Sequence, residues 1–209
     1  MPAQISAIIL AAGESRRIGR PKLLLPWGKT TVLGKVLATF AAGLSMDSIT
    51  DSRTETDYEI LVVTGGARKR VEDLVAELAK KYPLRAVYNP DYSSGGMLSS
   101  IQAGLREAHG TAALIGLGDQ PQVQKGTVRR ICTAYARSGS SLVVPSFHNR
   151  RGHPWLIARP LWSEILTLPP STTSRGFLHA HAEQVEYVPA DESILSDLDT
   201  PEEYDRQRP

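Results

Sequence analysis

Ala112 to Leu117, Ala-Ala-Leu-Ile-Gly-Leu, is a short run without one polar side chain. A segment this brief reads as a strand. A strand apolar on both faces must be covered on both, as in a parallel sheet flanked by helices. Short apolar runs at residues 5–10, 59–64, 84–88, 142–145, 155–158 and 185–188 repeat the theme. Between them lie stretches of helical period: Val32, Leu33, Val36, Leu37 and Phe40; Val71, Leu74, Val75 and Leu78; Met97, Leu98, Ile101 and Leu105; Val128, Ile131, Cys132 and Tyr135. Thr30 or Thr31 is the expected cap of the first helix. Strand–helix alternation through at least five units predicts an α/β fold, a mainly parallel sheet with helices on both faces. With 209 residues the chain suits one domain over residues 1–209. Residues 45–58 lack any apolar period and read as a surface loop.

The first strand runs into Leu10-Ala11-Ala12-Gly13-Glu14-Ser15-Arg16-Arg17-Ile18-Gly19-Arg20-Pro21-Lys22. Small residues after a strand let backbone N–H groups approach an anion without a Cβ in the way. Arg16, Arg17, Arg20 and Lys22 then place four cations within seven residues. A nucleoside triphosphate suits such a loop; solvated surface is the plainer reading of the same cluster. The stretch is not a Walker A loop. Gly28-Lys29-Thr30 has its ending, but Leu23 stands where glycine is required. No Gly-x-Gly-x-x-Gly follows the strand, which disfavours a dinucleotide site.

Charge and cysteine content exclude several classes. Lys and Arg number 24 against 22 Asp and Glu, so no global field favours nucleic acid or membrane. Cys132 is the only cysteine, which rules out an internal disulfide and a cysteine zinc cluster. No apolar stretch approaches the roughly 18 residues of a membrane span, and a soluble cytoplasmic protein is expected.

Three further stretches could carry chemistry. Residues 89–100, Asn-Pro-Asp-Tyr-Ser-Ser-Gly-Gly-Met-Leu-Ser-Ser, put glycines and serines at a helix start. There free N–H groups suit an anion, or the serines merely cap the helix. Gly118-Asp119-Gln120-Pro121 follows the apolar strand. Asp119 is either a turn former or a ligand at the carboxyl edge of the sheet, where open α/β folds bind. Asp197-Leu198-Asp199-Thr200-Pro201-Glu202-Glu203 contains a capping box, Thr200 with Glu203, and Pro201 at the first helical position. Because Thr200 supplies the cap, Asp199 is available to face a ligand. His179 and His181, two apart, fall on different faces of a helix and do not form a metal pair.

Leu-Ala-Ala-Gly-x-Ser-x-Arg-x-Gly-x-Pro-Lys-Leu-Leu-Leu-Pro, from Leu10 to Pro26, resembles the signature of the MobA-like nucleotidyltransferases. Within that group it is most similar to the molybdenum cofactor cytidylyltransferase (MocA-like) branch, with Ile18 where methionine is common. The blocks Gly-Met-x-Ser-Ser, Gly-Asp-Gln-Pro, Arg-Gly-His-Pro and Asp-Leu-Asp-Thr-Pro-Glu resemble later family blocks in order. The resemblance implies a Rossmann-like nucleotidyltransferase domain with an antiparallel strand in its C-terminal half. It implies nucleotide contacts from Leu10, Ala11, Ala12, Gly13, Ser15, Arg17, Lys22, Gly96, Ser99, Ser100 and Asp119. It makes Asp119 and Asp199 the Mg²⁺ ligands, with Asp197 second to Asp199, and Gly152, His153 and Arg175 acceptor contacts.

The implied reaction is transfer of a cytidylyl group from CTP to the phosphate of molybdopterin, with a molybdenum hydroxylase or its maturation factor as recipient. GTP or a sugar phosphate would use the same motifs, and a non-catalytic cofactor carrier is the alternative of another class. Two opposite charges 4 Å apart attract by roughly 4 kcal/mol at an effective dielectric of 20. A helix or loop dipole contributes only about 0.3–2 kcal/mol. Backbone alone therefore cannot neutralise a triphosphate. Arg17 and Lys22 are assigned to the phosphates and, with Asp119, to catalysis.

Overall fold

The computed structural model describes residues 4–15, 18–45 and 58–209. Strand β1 (Ile5–Ala11) leads through a loop to a small hairpin, β2 (Pro26–Trp27) and β3 (Thr30–Thr31), and then α1 (Val32–Leu44). The strand–helix unit repeats in β4 (Tyr58–Thr64), α2 (Arg68–Leu78), β5 (Leu84–Tyr88), α3 (Gly96–Glu107) and β6 (Ala112–Leu117). Next come α4 (Lys125–Ser138), β7 (Leu142–Phe147), β8 (Arg150–Arg151) and β9 (Trp155–Ala158). Helices α5 (Trp162–Thr167) and α6 (Ser174–Ala180), strand β10 (Val185–Pro189) and helix α7 (Pro201–Gln207) complete the order.

The main sheet runs β10-β7-β9-β6-β1-β4-β5, with β8 paired to β7. Strand β1 is parallel to both β4 and β6, while β9 is antiparallel to β6 and to β7. The expected mainly parallel sheet with an antiparallel strand in the C-terminal half is thus the observed one. Alternate side chains feed two cores. Ala7, Ile9, Ile60, Val62 and Leu114 pack under α1, α2 and α4. Ile8, Leu61, Val63, Ala113, Ile115 and Trp155 pack under α3, α5 and α6. Both faces of β6 are therefore covered, which is why it tolerates no polar residue.

The topology also locates a crevice. From β1 the chain steps outward to β4 and β5, then returns to the other side of β1 as β6. Ligands of open α/β sheets bind beyond the carboxyl ends of strands at such a reversal. Among the described residues no helix is long and apolar enough to cross a membrane. Residues 46–57 of the expected loop lie outside those described. Its two described ends are close, with the Ser45 and Tyr58 hydroxyls 3.3 Å apart.

Candidate active site

At the reversal between β1 and β6 lies a cleft of about 340 Å³, within the range of small-molecule sites. Leu10, Ala11, Gly13 and Ser15 form one wall, Ile18, Lys22 and Leu23 another, and Asp119 and Asp199 close it. Ser15 bends the chain at φ 53°, and its carbonyl accepts from Ile18 and Gly19 N–H at 3.2 and 3.1 Å. Its hydroxyl accepts from the Lys22 N–H at 3.1 Å, closing the loop on itself. Gly118 donates its N–H to the Leu10 carbonyl at 2.9 Å. A Cβ there would meet that oxygen at 3.0 Å, so glycine lets β6 deliver Asp119 against the loop.

Lys22 is the centre of the charge arrangement. Its Nζ donates to Asp119 Oδ2 at 2.5 Å and to Asp199 Oδ1 at 3.1 Å. Burial by itself would lower the Lys22 pKa, but the charges and hydrogen bonds of Asp119 and Asp199 outweigh it and hold the ammonium above its ordinary value. Asp199 is fixed by the helix behind it. Thr200 accepts from Glu203 N–H, and the Glu203 carboxylate accepts from Asp199 and Thr200 N–H at 2.9 and 3.0 Å. The expected capping box is present, and Pro201 opens α7. Asp197 stands behind the pair, its Oδ1 accepting from Gln120 Nε2 at 2.7 Å. Burial holds its carboxyl above the usual carboxylate range, and the Asp119 and Asp199 charges add to the effect against the Gln120 bond. Sequence reasoning missed Gln120 because the contact spans 77 positions and leaves no local pattern.

The remaining predicted site residues fall in three places. Ala12 is buried, and its carbonyl accepts from Gly66 N–H at 3.1 Å, anchoring the loop to the end of β4. Ser99 and Ser100 are buried, and both hydroxyls accept from Asn89 Nδ2, at 2.9 and 3.0 Å. They pin the segment after β5 to α3. Gly96 is exposed at φ +58°, and Ser174 Oγ meets Met97 Sδ at 3.5 Å, so the starts of α3 and α6 (the latter carrying Arg175) adjoin. Gly152 has a packing role, since a Cβ there would lie 2.3 Å from the Ile194 carbonyl. Arg17 lies outside the described residues. Cys132 packs against the core, and burial pushes its thiol up to about 12, which fits an inert residue.

Gly13 differs from these glycines. It has no positive φ, and a Cβ built on it would meet no protein atom within 4 Å. Neither backbone strain nor packing asks for glycine, and the space in question is the cleft. Gly13→Ala should leave the melting midpoint unchanged or raise it by up to about 4 °C, because Gly→Ala at a compatible site is neutral or stabilising. Nucleotide binding, read by calorimetry, should weaken by about tenfold or more. Unchanged binding would remove the loop backbone from the anion site.

His153 donates its backbone N–H to the Ile194 carbonyl at 3.2 Å, but its Nε2 is buried without a hydrogen-bond partner. Burial pushes the imidazole down to about 4. An unfolded histidine protonates near 6.5. Between those values the unfolded chain takes up the proton first, so stability is full above pH 6.5 and falls as pH drops towards 4. The loss should reach at most about 3 kcal/mol. Denaturant titrations at pH 7 and 4.5 read it, and His153→Leu should flatten that part of the slope.

The donor set also bears on a metal. Two carboxylate oxygens already converge on one cationic nitrogen. Among the described residues no group of three or more His, Cys, Asp or Glu is arranged to hold an ion. A hard cation held by one or two carboxylates, with water and phosphate oxygens completing its shell, fits this arrangement. A tetrahedral zinc site does not.

A model of the MobA-like NTP transferase domain matches residues 7–185. The chain is 27% identical over 201 residues to the molybdenum cofactor cytidylyltransferase of Escherichia coli (strain K12), covering 96% of this chain and 93% of that one. It is 32% identical over 209 residues to a nicotine blue oxidoreductase of Paenarthrobacter nicotinovorans, covering 95% and 94%. A crystal structure of Rv0371c from Mycobacterium tuberculosis H37Rv matches with a TM-score of 0.78 and 28% identity over 99% of this chain and 97% of that one. A second structure of that protein, a complex with manganese, matches at 0.73 and 27% over 97% of each.

Proposed function

The chain belongs to the MobA-like NTP transferase family, a nucleotidyltransferase family, and we propose that it transfers a cytidylyl group from CTP to the phosphate of molybdopterin. The observation that carries the reading is the Lys22 ammonium flanked by Asp119 and Asp199 at the mouth of the β1 loop. A cation beside two converging carboxylates suits a metal-bound polyphosphate. The similarity to a molybdenum cofactor cytidylyltransferase supports the choice of CTP and molybdopterin, and the manganese complex of a similar protein supports a divalent ion.

Asp119 and Asp199 would hold Mg²⁺, which when bound supplies charge neutralisation at the phosphates. The backbone from Leu10 to Ser15 cradles the polyphosphate, and Lys22 and Arg17 pair with its oxygens. Gly96 bounds the nucleotide from the start of α3, and Ser99 and Ser100 support it from behind by fixing Asn89. A phosphate oxygen of the acceptor attacks the α-phosphorus in line; the new P–O bond forms as the bond to the β-phosphate oxygen breaks, and pyrophosphate leaves. The nucleophile is already anionic near neutral pH, so no general base is needed. Positioning and charge stabilisation do the rest. Gly152, His153 and Arg175 are assigned to the acceptor. A histidine held neutral can offer a hydrogen bond there but no charge.

Pyrophosphate release measured with Mg²⁺, molybdopterin and either CTP or GTP tests the reading. Release with CTP and molybdopterin together is the expected result. Release only with GTP, or with a sugar phosphate, would change the substrates and keep the chemistry. Saturable molybdopterin binding without release would support a carrier. The relative named as an oxidoreductase adds weight to this assay, because a redox reaction liberates no pyrophosphate.

A further inference from the structure

We infer that Lys22 is a built-in competitor of the metal ion. Its ammonium holds the Asp119 and Asp199 carboxylates until a triphosphate draws it away, so ion and lysine exclude one another at the pair. The inference rests on the reading of those two aspartates as metal carboxylates.

Contact distances make the exclusion steric as well as electrostatic. Nζ sits 2.5 Å from Asp119 Oδ2 and 3.1 Å from Asp199 Oδ1. An Mg²⁺ ion needs its oxygens at about 2.0–2.1 Å. An ion on the same two oxygens would therefore occupy nearly the position of the ammonium, and two like charges so close repel strongly in a partly buried site. The Lys22 side chain is 15% exposed, so the ammonium is enclosed rather than dangling in solvent.

The backbone of Lys22 has little freedom to follow. Its N–H is held by Ser15 Oγ at 3.1 Å, and it opens a short 3-10 turn whose next residue, Leu23, is buried. The long side chain is the part that can move. The pair lines the cleft, where an entering ligand can reach it. A triphosphate entering there brings about four negative charges to receive the ammonium as the carboxylates release it. Metal and nucleotide then bind as one event. A free ion must displace the lysine without compensation.

Mn²⁺ binding to the full chain, followed by electron paramagnetic resonance without nucleotide, reads the competition. Lys22→Gln should bind Mn²⁺ about tenfold more tightly than the unaltered protein. Arg20→Gln, which removes an exposed cation from the same loop, should change it less than about twofold. A non-hydrolysable CTP analogue should strengthen Mn²⁺ binding far more in the unaltered protein than in Lys22→Gln. Lys22→Met, with melting curves for each variant, covers the case that Lys22→Gln does not fold. Equal or weaker binding in folded Lys22 variants overturns the exclusion, as does an equal gain in Arg20→Gln. If Asp119→Asn loses the ion in either case, the metal reading stands. If Asp119→Asn binds Mn²⁺ like the unaltered protein, that reading fails and the inference with it.

Discussion

Asp119→Asn should lower pyrophosphate release by about a thousandfold or more while leaving the protein folded. The magnitude follows from the work assigned to the carboxylate. Charge stabilisation by a bound metal is worth several kcal/mol, and each 1.36 kcal/mol is tenfold in rate. Asparagine keeps the shape and one oxygen but loses the anionic charge that both the ion and Lys22 require. The stability half of the expectation comes from the surroundings. Asp119 is partly exposed and raises the pKa of Asp197 by its charge. Removing it costs one ion pair with Lys22, which keeps Asp199 at 3.1 Å, and relieves repulsion among carboxylates. The pair is largely enclosed, with Lys22 15% and Asp119 19% exposed, so its loss costs more than the about 0–1 kcal/mol of an exposed pair. The retained Asp199 contact and the relieved repulsion offset part of that, and the midpoint should fall by a few degrees at most. Retained turnover in the Asn variant, with CTP and molybdopterin saturating, would take Asp119 out of the metal site.

Much of this arrangement was legible in the sequence, for reasons that can be named. The strands announced themselves because a covered parallel sheet excludes polar residues, and residues 84–88, 112–117 and 155–158 match β5, β6 and β9. Thr200 and Glu203 sit three apart, so their capping box is a local pattern, and it left Asp199 open to the cleft. The hairpin β2–β3 gave no such signal, since two-residue strands have no period. Contacts between distant segments were equally silent. Asn89 gathering Ser99 and Ser100, Gln120 holding Asp197 and Gly152 seated on Ile194 are set by packing. The serines illustrate the limit best: their spacing resembles a nucleotide-binding block, yet their hydroxyls are turned to an asparagine that fixes the loop after β5. Arg17 lies outside the described residues, so its phosphate role rests on the charge argument alone.

Trp155→Ala supplies the converse case, a large loss of stability from a residue that does not line the cleft. Trp155 is 1% exposed. It stands opposite Ile115 at the start of the antiparallel pairing between β9 and β6, and packs in the core under α3, α5 and α6. Replacing a buried Trp by Ala removes its contacts and leaves a cavity, at a cost of about 3–5 kcal/mol. For a chain of this size that lowers the midpoint by roughly 10 °C. The two variants act on the same strand: Ile115, the partner of Trp155, and Asp119 lie within one short stretch of β6 and its loop. Carboxylate placement depends on the Gly118–Leu10 hydrogen bond and the Lys22 contacts. Trp155 contributes to neither. Well below its midpoint, Trp155→Ala should keep turnover within about tenfold of the unaltered protein, while Asp119→Asn, though folded, falls by about a thousandfold or more. A Trp155→Ala protein that is folded by circular dichroism but inactive would mean that the antiparallel strand positions the site, and not only the core.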